Sequence, residues 1–108
     1  MGKLENKFQH ELIGKIKDRF PGAIVMKNDS SYIQGIPDLT ILYKNKWAML
    51  ECKRDPKAHK RPNQDYYVNL LNEMSFASFI DPENEEEVLD AISQSFKSSR
   101  SSRVSRSK

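Results

Sequence analysis

Three residues able to do chemistry stand next to a predicted β-hairpin. Asp38 precedes its first strand, and Glu51 and Lys53 lie at the end of its second strand, with 12 residues between Asp38 and Glu51. A polar turn at residues 44–46 interrupts a run rich in apolar, β-branched and aromatic side chains over residues 39–53, a pattern typical of a hairpin. In this hairpin Asp38 lies across from Glu51 and Lys53, so two carboxylates and one ammonium group converge.

The second strand of the hairpin carries charge where burial is expected. Alternate side chains of a strand point to opposite faces, so Glu51 and Lys53 share a face with Trp47 and Met49. The other face holds the apolar or small side chains of Ala48, Leu50 and Cys52. Since a buried charge without compensation is costly, Glu51 and Lys53 need compensating partners.

The types of these residues indicate a particular chemistry. Carboxylates without paired histidine or cysteine favour Mg²⁺ or Mn²⁺, because oxygen ligands and retained water suit these ions. Zinc does not fit, since His10 and His59 are neither paired with each other nor spaced with Cys52. A lysine two residues from a metal-binding glutamate can orient or deprotonate an attacking water and offset charge on a pentavalent phosphate. The set therefore suits hydrolysis of a phosphodiester bond.

A further carboxylate is expected from the first predicted helix. Phe8, Leu12 and Ile16 follow a helical period and define an apolar face. At about 100° per residue, Glu5 falls on this face, whereas Glu11 points away from it. Glu5 is therefore a candidate ligand at the same end of the sheet. The alternative interpretation is an acid that only favours the helix dipole.

The remaining segments supply the elements that position these residues. Their predicted order is helix, three strands, helix, strand, helix, within a single domain over residues 1–96. The helices are predicted over residues 5–20, from Pro62 with Gln64, Tyr67, Leu71 and Met74 facing inward, and from Asp81 with Val88, Leu89, Ile92 and Phe96 facing inward. The first and last strands are predicted over residues 23–26 and 76–80.

Charge is unevenly distributed along the chain. The sequence has 18 Lys and Arg against 15 Asp and Glu. Residues 97–108 hold five of the basic residues, six serines and no acid, which leaves 13 basic and 15 acidic residues in the preceding body. We expect residues 97–108 to form a disordered basic tail, which either solubilises the protein or tethers DNA non-specifically.

Composition argues against several classes of protein. No apolar run approaches the about 18 residues of a membrane span, and the N-terminus lacks the apolar core of a secretory signal. The single cysteine, Cys52, has no partner for an internal disulfide, which fits a reducing compartment. We therefore expect a cytoplasmic protein without a membrane partner.

A basic loop directly follows the candidate catalytic lysine. It contains Arg54, Lys57, Lys60 and Arg61. Its position favours contact with DNA phosphates over the alternative of a solvated turn. His59, in the same loop, is interpreted as a bystander rather than a proton donor.

The arrangement as a whole resembles a nuclease superfamily. Pro37-Asp38, 12 intervening residues and Glu51-Cys52-Lys53, within the predicted order of elements, resemble the PD-(D/E)xK superfamily. The segment Gly35-Ile36-Pro37-Asp38-Leu39-Thr40-Ile41-Leu42, the strand end Leu50-Glu51-Cys52-Lys53 and the helix-opening Gln64 are similar to small stand-alone VRR-NUC nucleases, many of them from phages. Archaeal-type Holliday junction resolvases are similar in outline.

This resemblance implies a fold and a set of site residues. The fold is α/β, with a restriction-endonuclease-like αβββαβ core, a mixed sheet flanked by helices, and a C-terminal helix. The implied residues are the Mg²⁺ ligands Glu5, Asp38, Glu51 and the main-chain carbonyl of Cys52, the catalytic lysine Lys53 and the site contact Gln64. Mn²⁺ is the expected substitute for Mg²⁺. The alternatives are a salt bridge at the end of the hairpin and, for Gln64, an ordinary residue of a first helical turn.

The pattern and the resemblance favour a Mg²⁺-dependent, structure-selective DNA endonuclease, and within that class a Holliday (four-way) junction resolvase. A base-reading module is not evident. Symmetric cutting of a junction needs two active sites, and the resemblance to small resolvases implies a homodimer, located in the bacterial host cytoplasm if the protein is phage-encoded. The alternatives are a phage nickase, a flap-type or non-specific endonuclease, and a non-catalytic DNA-binding protein on the same fold.

Overall fold

The computed structural model describes residues 3–97, with side chains described from residue 6 onward, and these residues form three helices and four strands. In chain order the elements are α1 (Lys3–Arg19), β1 (Ile24–Lys27), β2 (Leu39–Tyr43), β3 (Lys46–Cys52), α2 (Gln64–Met74), β4 (Ala77–Ile80) and α3 (Glu85–Lys97). The predicted order of elements is confirmed.

The four strands form one mixed sheet in the order β1-β2-β3-β4. β2 is antiparallel to both β1 and β3. The chain then crosses the sheet through α2, and β4 pairs with β3 in parallel. Because antiparallel neighbours run in opposite directions and parallel neighbours end together, β1, β3 and β4 all end where β2 begins. We call this border of the sheet the site edge.

Helices cover the sheet from both sides. α1 and α3 pack on one face, where Leu12, Ile41 and Ile92 belong to the larger hydrophobic core. α2 packs over β3 and β4 on the other face and buries Val68 and Leu71. The predicted division of β3 is confirmed, since Ala48, Leu50 and Cys52 belong to the larger core and Trp47 and Met49 pack on the side of α2.

Ion pairs join α1 to the acidic α3. Lys15 Nζ donates to Glu85 Oε2 at 2.7 Å, and this hydrogen bond raises the pKa of Lys15 above its usual value. Arg19 pairs with Asp90 and donates to Ser93 Oγ. Acidic side chains of α3 are thereby paired with α1, on the opposite face of the sheet from α2.

The second helix differs in detail from its prediction. α2 begins at Gln64 instead of Pro62, because Asn63 adopts a left-handed conformation with φ of 70°. Met74, predicted to face inward, is 62% exposed, and Val68 occupies the buried stripe. The helix is therefore shorter at its start, while the predicted inner face is confirmed for Gln64 and Leu71 and wrong for Met74.

The third helix also begins later than predicted. α3 starts at Glu85, and in the turn that precedes it the carboxylate of Asp81 accepts the main-chain N–H groups of Glu83 and Asn84, as a residue that caps a helix start does. It extends to Lys97, the first residue of the predicted basic tail, and residues 98–108 lie outside the described part of the chain. No helix within residues 3–97 is long and apolar enough to cross a membrane.

A close backbone approach joins the site edge to α2. Gly35, in the loop before β2, has φ of 93°, in a region that residues with a side chain rarely adopt. A Cβ built on Gly35 would lie 2.5 Å from the Cβ of Asn63, the residue immediately before α2. The loop can therefore touch the start of α2 only because position 35 lacks a side chain.

Alanine substitutions at three glycines separate this contact from backbone strain. Gly35→Ala introduces both strain and collision, so we expect it to lower the free energy of unfolding by more than about 2 kcal/mol. Gly22 has the same φ of 93° with open space around it, and Gly22→Ala should lower the free energy of unfolding by about 1–2 kcal/mol. Gly14→Ala, in the open middle of α1, should raise it by about 0.5–1 kcal/mol. Urea denaturation measures all three, and equal losses at Gly35 and Gly22 would contradict a tight contact with Asn63.

Candidate active site

A row of polar side chains crosses the sheet at the site edge. Leu39 of β2 pairs with Leu50 of β3, and the next position places Asp38 opposite Glu51. Extending the β1–β2 register in the same way places Asn28 opposite Asp38. Opposed side chains of antiparallel strands share a face, with Cβ atoms about 4.5–5.5 Å apart. Asn28, Asp38 and Glu51 therefore form one row, on the face where α2 packs.

Oxygen atoms of three residues converge in this row. Asp38 Oδ2 accepts a hydrogen bond from the N–H of Cys52 at 2.9 Å. The N–H and C=O of a strand residue point toward the same neighbouring strand, so the Cys52 carbonyl also faces Asp38. The N–H of the next residue, Lys53, donates instead to the carbonyl of Ile80 at the end of β4, at 2.8 Å. The Asp38 and Glu51 carboxylates and the Cys52 carbonyl thus lie at one place on the site edge.

Asn28 fixes the backbone that carries Asp38. Its main-chain N–H donates to the Asp38 carbonyl at 2.7 Å, and its side-chain amide donates to the Pro37 carbonyl at 2.9 Å. Its amide oxygen accepts a hydrogen bond from the Thr40 hydroxyl, also at 2.9 Å. No role was predicted for Asn28 from the sequence, and these three bonds tie the residue after β1 to the start of β2.

The amide of Gln64 lies between the charges of Glu51 and Lys53. Its Nε2 donates to Glu51 Oε2 at 2.8 Å, and its Oε1 accepts from Lys53 Nζ at 2.8 Å. The direct distance from Lys53 Nζ to Glu51 Oε2 is longer, 3.8 Å. The side chains of Glu51 and Lys53 are 5% and 8% exposed, where a charge is costly unless it is paired and hydrogen-bonded. Gln64 supplies a hydrogen bond to both charges.

Packing of α2 brings Gln64 to this position. Gln64, Val68 and Leu71 are spaced along one stripe of the helix, and all three are buried. Gln64 Oε1 also accepts the main-chain N–H of Arg61 at 2.9 Å. The structure therefore brings Gln64 together with Glu51 and Lys53, and its part in catalysis stays a prediction.

The loop between β3 and α2 closes over Lys53. The main-chain carbonyl of His59 accepts a hydrogen bond from Lys53 Nζ at 3.0 Å. His59 was predicted to be a bystander, and its contact with the lysine is made by its backbone. The lysine is thus fixed by this loop and by α2 together.

These groups line a cavity of about 510 Å³. Its charged and titratable lining residues are Asp38, Glu51, Lys53, Arg54, His59 and Arg61, and residues of the loop before β2, among them Ser30 and Gln34, complete its wall. The buried carboxylate of Glu51 and the half-buried carboxylate of Asp38, beside the exposed cations Arg54 and Arg61, form a site that can take a divalent cation and a phosphate group together.

The four predicted phosphate contacts occupy different places. Arg54 and Arg61 line the cavity. Lys60 pairs with Asp65 at 3.3 Å, and its Nζ lies 4.4 Å from the centroid of an aromatic ring of β4. Lys57 is exposed at a turn and, among the described residues, does not belong to the cavity lining. The structure thus favours the two arginines over the two lysines as contacts to a bound phosphate.

The oxygen atoms at the site edge fit a hard cation. Asp38 and Glu51 offer carboxylates, and Cys52 offers a main-chain carbonyl. Residues 6–97 hold no group of three His, Cys, Asp or Glu side chains arranged for a metal ion. Mg²⁺ retains several water ligands and is commonly bound through one or two carboxylates, so this donor set fits Mg²⁺ without a full protein cage.

The predicted ligand Glu5 belongs to α1, but its side chain is outside those described. The position of the helix start can be given. Phe8 of α1 lines a surface depression together with Pro82, which follows β4. The N-terminal half of α1 therefore lies near the site edge, while the role of Glu5 stays a prediction.

Comparison with known proteins identifies the fold. A solved structure described as a VRR_NUC domain is similar to this chain with a TM-score of 0.60 and 18% sequence identity, over 82% of this chain and 97% of that chain. No protein-family model matches the sequence. A search of curated proteins also finds no match. The predicted fold is confirmed: the chain has an α/β fold like that of the VRR_NUC domain.

Substitutions of Asn28 test the support of Asp38. Asn28→Asp places a carboxylate against the Pro37 carbonyl in place of a donor, so we expect the free energy of unfolding to fall by about 1–3 kcal/mol. Thr40→Ser keeps the hydroxyl that donates to Asn28 and should cost less. Asn69→Ala, on the exposed face of α2, is the matched control and should be neutral or slightly stabilising. Urea denaturation measures these values, and wild-type stability of Asn28→Asp would contradict the role of the side-chain amide.

Proposed function

We propose that this protein is a Mg²⁺-dependent DNA endonuclease that selects its substrate by structure and resolves four-way (Holliday) junctions. One observation carries the proposal. Asp38 and Glu51 face each other at the site edge, and the buried Lys53 is held beside them by Gln64. The VRR-NUC-like fold supports the nuclease part of this proposal. Mn²⁺ is the expected substitute for Mg²⁺.

The proposed role of the oxygen cluster is to hold the metal ion. Asp38, Glu51 and the Cys52 carbonyl are the proposed ligands, with Glu5 as a further candidate from α1. A bound Mg²⁺ supplies a Lewis acid that polarises a phosphoryl oxygen. The hydrogen bond from the Cys52 N–H fixes Oδ2 of Asp38, and Asn28 holds the backbone on which this carboxylate stands.

Lys53 is the proposed catalytic residue. Its ammonium group can hold a water molecule against the phosphorus atom and offset the negative charge that develops on the phosphate. Two acceptors, Gln64 Oε1 and the His59 carbonyl, set the direction of its Nζ. Gln64 positions this group and orients Glu51 with the same amide.

The proposed substrate is double-stranded DNA with a branch. Arg54 and Arg61 can bind the phosphates on either side of the cleaved bond, because they line the cavity that holds Lys53. Symmetric nicks across a junction need two sites related by a two-fold axis, so the active form is proposed to be a homodimer. The alternatives are a nickase or flap-type nuclease, a non-specific nuclease, and a DNA-binding protein without catalysis.

Loss of the lysine tests the chemistry. Lys53→Ala should reduce Mg²⁺-dependent cleavage by about 10²- to 10⁴-fold and leave junction binding largely intact. The matched control is Lys17→Ala, which removes the same charge from the exposed end of α1 and should cleave at the wild-type rate. Cleavage by wild-type protein in EDTA, or an unchanged rate for Lys53→Ala, would contradict the proposed mechanism.

A panel of DNA structures decides among the candidate substrates. The protein is incubated with Mg²⁺ and a four-way junction, a flap, a splayed arm, single-stranded DNA and linear duplex of shared sequence, and the cuts are mapped. Paired symmetric nicks restricted to the junction, together with a dimer mass in solution, are expected for a resolvase. Random nicking of the duplex would favour the non-specific nuclease, and binding without cleavage the non-catalytic protein.

The two cavity arginines should dominate phosphate binding. Each phosphate contact adds about 0.9 to the slope of log affinity against log salt. Arg54→Ala and Arg61→Ala should each reduce this slope by about one, whereas Lys60→Ala should reduce it less because Lys60 is not among the described residues that line the cavity. Fluorescence anisotropy at several salt concentrations in EDTA measures the slope. A larger effect at Lys60 than at either arginine would contradict the assignment.

A further inference from the structure

An exposed tyrosine stands at the tip of the loop before β2. Tyr32 is 85% exposed, the highest value among the large apolar and aromatic side chains described. Its neighbour Ile33 is 37% exposed. No role was predicted for either residue. An aromatic ring this exposed offers both faces to a planar partner.

Hydrogen bonds hold the loop tip in a defined shape. The Asp29 carboxylate accepts the N–H and hydroxyl of Ser31, and the Asp29 carbonyl accepts the N–H groups of Tyr32 and Ile33 at 3.1 and 3.4 Å. The Ile33 carbonyl accepts the N–H of Ile36 at 3.2 Å. The bonds from Ser31 also lower the pKa of Asp29 below its usual value. The ring is therefore presented by an ordered turn.

The loop tip lies beside the candidate active site. Ser30 and Gln34, which flank Tyr32 on both sides along the chain, line the same cavity as Lys53. The cations Arg54 and Arg61 line it as well. A DNA strand whose phosphate occupies this cavity carries its adjacent bases past the loop. Because Arg54 and Arg61 suit a phosphate, the planar partner expected at Tyr32 is a base of the same DNA strand.

We propose that Tyr32 is a stacking platform for a base with an open face next to the phosphate bound in the cavity, so that the preferred substrate is DNA in which base stacking is interrupted beside the cleaved bond. This inference rests on the proposed function and deepens it by naming the substrate feature that is recognised. An aromatic side chain stacks on a base only where the face of that base is open. In an intact duplex both faces are covered by neighbouring base pairs. Junctions, gaps and flaps expose such faces, and Tyr32 gives the protein a means to detect them.

Binding and fluorescence test the stacking without cleavage. In EDTA, a duplex with a short gap is compared with the fully paired duplex of the same sequence, and 2-aminopurine is placed in turn at each unpaired position. We expect wild-type protein to change the fluorescence of one unpaired 2-aminopurine and to prefer the gapped duplex. Tyr32→Ala should lose the fluorescence change and about 5- to 100-fold of this preference, while its affinity for paired duplex is unchanged.

Two variants control for other effects of the substitution. Tyr32→Phe keeps the ring and should keep both the preference and the fluorescence change. Tyr66→Ala removes another exposed tyrosine, which lies on α2 and is 61% exposed, and should behave as wild type. Equal melting temperatures show that every variant is folded. Wild-type behaviour of Tyr32→Ala, or loss of the preference in Tyr32→Phe, would overturn the stacking role.

Cleavage in Mg²⁺ separates this inference from the proposed function. If the protein cleaves branched DNA and no stacking depends on Tyr32, only the inference about Tyr32 is overturned. If stacking depends on Tyr32 but the protein never cleaves DNA, the proposed nuclease activity is overturned. The inference is then supported, because recognition of the open base remains. Absence of any DNA binding overturns both.

Discussion

The pairing of β2 with β3 is the constraint on which the site depends. A shift of one residue in a strand exchanges its two faces, so it would send Glu51 toward the core of α1 and α3 and bring Leu50 to the face of α2. The apolar side chains of β3 that face α1 and α3 are almost fully buried, which makes any such shift costly. The large core therefore fixes the register, and the register places Asp38 opposite Glu51. In this way apolar packing on one face decides the position of charges on the other.

Burying the charges of Glu51 and Lys53 costs free energy, and hydrogen bonds with α2 compensate them. Glu51 and Lys53 are both nearly inaccessible to solvent, yet Lys53 Nζ lies 3.8 Å from Glu51 Oε2. A direct ion pair at shorter range would compensate the charges but would leave little room for a ligand. The amide of Gln64 compensates both groups while keeping them apart. A buried polar group destabilises the fold unless it is hydrogen-bonded. Gln64, the first residue of α2, makes one hydrogen bond with Glu51 and one with Lys53.

Much of the fold and the centre of the site could be predicted from the sequence. The bounds of β2, the two faces of β3 and the proximity of Asp38 to Glu51 and Lys53 follow from alternation and a short polar turn, which are local signals. The role of Asn28 could not be predicted, because it depends on the register between β1 and β2 across an 11-residue loop (residues 28–38). The His59 carbonyl could not be predicted either, because every residue has a carbonyl and only the path of the loop selects this one. The predicted start of α2 at Pro62 was wrong, because Asn63 adopts a left-handed conformation and a proline at position 62 does not indicate this.

The loops that carry these unforeseen contacts also connect the site to its surroundings. The loop before β2 contains Gly35, which packs against Asn63 at the start of α2, and it leads directly into Asp38. The loop after β3 holds Lys53 through His59 and Gln64 through Arg61. Both loops line the cavity. A ligand that displaces either loop would therefore also displace Asp38, Lys53 or Gln64. Acidic side chains of α3 pair with α1 on the opposite face, whereas the exposed cations Arg54 and Arg61 line the cavity at the site edge.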